Sequence, residues 1–148
     1  MRIDAHVEEK VRDTLHWAVK QEPAEFDSAL AKFTDDAARL ASLELLAQIC
    51  RYVSAQAFGH VPSHQELDAL AAEVATNEQW AALSASEVAT FLKAVVHGQP
   101  PAGQLTTSGY VVMSFVVAAS LLSSQPKTEG EWWFDYLDRV EAALEASA

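Results

Sequence analysis

Apolar residues recur every three or four positions along most of this chain, the spacing that gathers them on one side of an α-helix. Val7, Val11, Leu15 and Val19 repeat at every fourth position behind Asp4, with Ala18 beside the last. Glu22-Pro23 interrupts that stripe, because proline suits a first helical turn and not a helix interior. A short helix should follow, with Phe26, Leu30 and Phe33 on one side. Thr34 or Asp35 can cap the next one, whose stripe takes in Leu46, Ile49, Cys50, Val53 and Ala57. Gly59 and Pro62 stop it.

Three later helix starts carry the Ser/Thr-x-x-Glu pattern: Ser63 with Glu66, Ser84 with Glu87, and Thr128 with Glu131. In that pattern the hydroxyl accepts from an otherwise unpaired backbone N–H, and the glutamate reaches back to the N–H of the cap residue. Behind the three starts lie Leu67, Leu70, Ala71 and Val74; Val88, Phe91, Leu92, Val95 and Val96; and Trp133, Tyr136, Leu137, Val140 and Leu144. Gly98 and Pro100-Pro101 end the second of these, and the only linker-like stretch runs from there to Ser108.

One segment pulls two ways. Residues 110–122, YVVMSFVVAASLL, are rich in β-branched and aromatic side chains, which suits a strand. No second strand pattern exists to pair with it, so a helix that is apolar all round and enclosed by its neighbours is the expectation. No Asp, Glu, Lys or Arg stands between Lys93 and Lys127, yet the dense apolar run falls short of the roughly 20 residues a membrane span needs. The pattern therefore predicts an all-α bundle of six or seven helices, with a buried central helix near 108–123. At 148 residues, one domain over 1–148 is the economical expectation.

Charge narrows the partners. Ten basic residues against twenty-one acidic ones give a net charge of −11 and a pI near 4.7. Such a chain is repelled at long range by nucleic acid and by anionic membranes, both of which attract Lys and Arg. The nearest basic grouping, Lys10, Arg12 and Lys20, is interleaved with Glu8, Glu9 and Asp13. What remains is acidity that serves solubility, or acidity that meets a basic protein. The single cysteine, Cys50, fits a reducing compartment. The polar start, Met1 to His6, lacks the apolar core of a secretory signal. Both point to the cytoplasm.

Motifs for catalysis or metal binding are thin. His60 and His64 are four apart, but Pro62 and Ser63 between them keep them off a common helix face, unlike a HExxH pair. Glu9, Asp13 and His16 share one face of the first helix. A carboxylate-x-x-His di-metal site needs a second such motif and further acids, so a solvated charged face is the reading for them. His6 and His97 have no partner nearby in sequence, and His97 suits a helix C-terminus. Cys50 lies inside a helical stripe, where a thiol acts as a small hydrophobe. No nucleophile elbow, phosphate-binding glycine loop or CxxC occurs, and no cofactor or metal is implied.

The C-terminal segment stands out. Glu129, Glu131, Asp135, Asp138, Glu141 and Glu145 face Arg139 as the one cation, beside Trp132, Trp133, Phe134 and Tyr136. Trp133, Tyr136, Leu137 and Val140 claim the inward side of a helix, which sets Trp132 about 100° away. For one tryptophan, packing at the edge of the core is the ordinary outcome. The alternative is an acid-rimmed anchor for a basic partner made of Glu131, Trp132, Asp135 and Asp138. The leading expectation is thus a small acidic helical protein that binds another protein, a second copy of itself included. An alternative is a bundle enclosing a small apolar ligand among Trp80, Phe91, Met113 and Phe115, and the third is an enzyme whose site is scattered along the chain.

Overall fold

The computed structural model describes residues 1–98, 107–125 and 129–147. Among them are seven α-helices and no strand: α1 Ala5–Val19, α2 Pro23–Leu30, α3 Asp36–Phe58, α4 His64–Asn77, α5 Ala85–His97, α6 Thr107–Ser124 and α7 Trp133–Ala146. Most of the linker-like stretch, 99–106, lies outside the described residues, as does Thr128.

The segment with strand-like composition is α6, and it is the axis of the fold. Every residue from 113 to 122 is buried, and the helix packs against α1, α3, α4, α5 and α7. Enclosure outweighs the mild helix reluctance of β-branched residues. Ser114 and Ser123 donate within the helix, to the carbonyls of Tyr110 and Ala119 one turn back, each at 2.8 Å. Among the described residues, no helix is long and apolar enough to cross a membrane.

Local signals set most boundaries. Asp4 caps α1 by accepting from the N–H groups of His6 and Val7, and Asp35 caps α3 through Ala37. The boxes at Ser63 and Ser84 are both formed. Gly59 and Gly98 end α3 and α5 in the left-handed conformation that favours glycine.

One sequence expectation is corrected. Ala57 is exposed, and the α3 stripe gains the buried Leu45 in its place. The helix expected behind Thr128 begins, as α7, at Trp133, where Asp135 accepts from the backbone N–H of Trp132 at 2.9 Å; the pairing of Thr128 with Glu131 lies outside the described residues. Glu131 holds Arg139 through two 2.8 Å bonds.

The ends of α1 and α4 meet over a polar junction. Buried Glu78 accepts from the Trp80 indole at 3.1 Å and the Gln21 amide at 3.2 Å. Burial raises its pKa against those two bonds. Gln21 and Ala82 flank the junction with positive φ, 56° and 54°, an arrangement side chains other than glycine resist.

The packing predicts a graded response. Leu121→Ala in α6 should cost about 2–5 kcal/mol, whereas Leu40→Ala, on the exposed side of α3, should stay within about 0.5 kcal/mol. Ala82→Gly, at an exposed left-handed position, should stabilise by up to about 1 kcal/mol. Urea unfolding of the three variants checks all of this.

Candidate functional site

Because α7 starts at Trp133, Trp132 is left as the capping residue, with an extended backbone. Trp133, Tyr136, Leu137, Val140 and Leu144 turn inward and are buried. Trp132 does not pack at the edge of the core: it is 67% exposed, and its ring lies nearly parallel to that of Phe134, centroids 6.4 Å apart. Phe134 is itself 40% exposed and meets Trp133 edge-on. Leu40 and Val61 are the other large apolar side chains exposed among the described residues, and they lie elsewhere, on α3 and before α4. Two neighbouring exposed rings are therefore a local feature of this end of α7.

Beside the rings runs a groove of about 720 Å³, lined from α1 by His6, Glu9, Lys10, Arg12, Asp13 and His16 and from α7 by Trp133 and Phe134. The charged face read from the sequence of α1 thus forms one wall, with Glu9, Lys10 and Asp13 exposed and His16 packed edge-on against Trp17. Within the described residues, no three His, Cys, Asp or Glu side chains gather as metal ligands would.

One side chain fastens the two walls. Arg12 donates from Nε to Glu8 at 2.7 Å and from Nη2 to Asp138 at 2.7 Å and Glu141 at 3.1 Å. Its Nη1 reaches the carbonyl of Phe134 at 3.4 Å. Burial opposes the charge on Arg12, but its bonds to Glu8 and Asp138 hold its pKa above the ordinary value. Asp138 remains open to solvent, whereas Glu141 is only 8% exposed.

The four acid-aromatic residues expected to form an anchor are thus unequal. Trp132 is presented to solvent, Asp135 caps its own helix, Asp138 is held by Arg12 and Glu131 by Arg139. The structure adds what sequence reasoning missed: Phe134, the wall from α1, and the node of Glu8, Arg12 and Glu141. A signal for Glu141 was present. It lies four residues after Leu137 and three before Leu144, on the inward stripe.

No protein-family profile, curated protein or solved structure matches the chain. What the site does must come from its own chemistry.

The residues offered for an apolar ligand sit in ring contacts. Met113, Phe91 and Phe115 are fully buried. Phe26 stands edge-on between Trp80, at 5.5 Å, and Phe115, at 6.3 Å, while Phe91 packs on Tyr110 at 5.4 Å. None of the four lines the groove. Cys50 is wholly buried and its thiol is pushed up to about 12, which suppresses the reactive thiolate. His60 donates from Nε2 to the Glu66 carboxylate at 2.9 Å, alongside the Ser63 N–H that also holds it. His64 lies against His97, ring centroids 4.7 Å apart.

Removing the fastening cation should be costly. Arg12→Ala should destabilise by about 2–3 kcal/mol, since it strips the one cation that hydrogen-bonds Glu8, Asp138 and the buried Glu141. Arg139→Ala removes a more exposed cation from a single carboxylate, Glu131, and should cost less. Chemical denaturation of both variants at one pH measures the difference.

Proposed function

We propose that this chain is a small acidic cytoplasmic protein that works by binding another protein, with the α1/α7 groove and the Trp132–Phe134 rings as its docking face. The observation that carries the reading is the pair of exposed rings, of which Phe134 lines the groove and Trp132 lies parallel to it. Tryptophan and other aromatic side chains dominate binding energy at interfaces, and a rigid ring loses little conformational freedom when it is covered.

Charge favours a basic segment as the occupant. Arg12 is already committed to Glu8, Asp138 and Glu141, which leaves Lys10 against Glu9 and Asp13 among the charged residues of the wall. The whole molecule carries −11, so encounter with a positively charged surface is accelerated at low ionic strength. Inhibitor, immunity-type, adaptor and assembly roles all use a face of this kind. A partner that contributes lysine or arginine together with an apolar contact matches it, and a guanidinium can also stack on the rings.

A photo-crosslinking residue placed at position 132, compared with one at position 61, should capture a basic partner from position 132 alone. Trp132→Ala combined with Phe134→Ala should then weaken that complex by about 30-fold or more, the effect of losing a binding hot spot. The melting temperature should hold, because the cap of α7 uses the backbone of Trp132 and not its ring. Asp13→Lys should flatten the salt dependence of the affinity. Binding unaffected by all three substitutions would place the docking face elsewhere.

A further inference from the structure

The seam between α1 and α7 holds an imbalance. One guanidinium faces three carboxylates, Glu8, Asp138 and Glu141, within 3.1 Å, so the group carries an excess of two negative charges when all three are ionised. Glu141 is the most enclosed of the three, and its Oε2 is buried without a hydrogen-bond partner. A bare carboxylate oxygen shut away from water is costly, and a proton on it turns an orphan acceptor into a donor. Glu8 bonds the same guanidinium, from Nε where Glu141 takes Nη2, which brings its carboxylate close enough to Glu141 to be the candidate acceptor.

The surrounding elements bring little else to offset the charge. From α1 come Glu8 and Arg12, and from α7 itself Asp138. The Met1 amino group donates to the carbonyl of Leu144 further along α7. Packed against the other side of α7 are α6, which has no charged residue, and α3. The cations of α3 are engaged elsewhere, Arg39 with Asp36 and the Phe33 carbonyl and Arg51 with the Val95 carbonyl. Glu44 of α3 lies beside Arg2 and Asp4.

We infer that Glu141 and Glu8 share a proton across the α1–α7 seam under Arg12, and that releasing it loosens the seam and reshapes the groove. Arg12 transmits the change, since it touches the pair, the carbonyl of Phe134 and the groove at once. Burial, then the charge of Glu8, set against the pull of Arg12, push Glu141 up to about 8, so the proton is exchanged near neutral to mildly alkaline pH. The biological use of this switch rests on the reading of the groove as a docking face; the titration itself needs no partner.

The sign follows from linkage. Between the ordinary glutamate value of 4.5 and about 8, the folded protein holds a proton that the unfolded chain has lost. Stability therefore falls as pH rises through that window, by up to ~10-fold in the unfolding constant per pH unit for one proton. Below the window both states are protonated, and above it neither is.

The test is carbon-detected NMR of the Glu141 carboxyl in the free protein from pH 4 to 10, with the Trp133 indole and the Phe134 amide followed in the same samples. The expected result is a Glu141 midpoint far above the ordinary glutamate range, with both groove signals moving at that midpoint in the wild type and losing the transition in Glu141→Gln. Glu8→Gln should lower the midpoint by removing the negative charge that favours a proton on Glu141, which keeps the test intact if Glu141→Gln fails to fold. A midpoint in the ordinary glutamate range overturns the shared proton, and groove signals that ignore a titrating Glu141 overturn its control of the groove. Loss of partner binding in the crosslinking experiment would leave either result standing, so the two readings fail separately.

Discussion

The rest of the molecule depends on burying α6. A helix with no Asp, Glu, Lys, Arg or His and ten consecutive buried residues has little face to offer water along that stretch, so its neighbours must enclose it. At roughly 25 cal/mol per Å² of apolar surface, that enclosure is the dominant favourable term for this part of the chain. It also explains why the remaining helices are amphipathic: each supplies one apolar stripe toward α6 or toward a neighbour on it, and keeps one polar face outside. Among those outer faces, α1 and α7 come together through side chains around Arg12, and the groove forms beside that fastening.

Much of this architecture was legible in the sequence because its determinants are local. Asp4, Asp35, Ser63 and Ser84 cap their helices within two or three residues of themselves. Gly59 and Gly98 end theirs by backbone freedom alone. The enclosed character of α6 followed from the absence of a polar face and of a second strand. Where a residue's partner lies further along the chain, the local pattern did not name it: Glu131 holds Arg139, eight residues on.

The site was legible only in half. The helical period placed Trp132 off the inward stripe of α7, and the wheel position of Glu141 carried a signal for burial. Nothing in either segment named α1 as the facing wall, because Arg12 and Asp138 are 126 positions apart. On its own helix Arg12 looks like one charge of a solvated face, and the same is true of Glu8. Only the packing of both helices around α6 turns those scattered charges into one node and leaves Phe134 beside an open groove. The acidity concentrated in α7 is likewise redistributed: Glu131, Asp135, Asp138 and Glu141 are all engaged within the chain, so the face offered outward is carried by aromatic rings and by acids of α1.

On this account the molecule has two regions of unequal stability, a fixed core around α6 and a more labile α1–α7 seam governed by one cation. Native-state hydrogen exchange resolved along the backbone tests that division most directly. The account predicts that amides of residues 113–122 exchange only with global unfolding, that those of residues 133–138 open at lower free energy, and that Arg12→Ala accelerates α7 well beyond its effect on α6. Exchange from α6 as fast as from the start of α7, or uniform acceleration of all helices by Arg12→Ala, would contradict it.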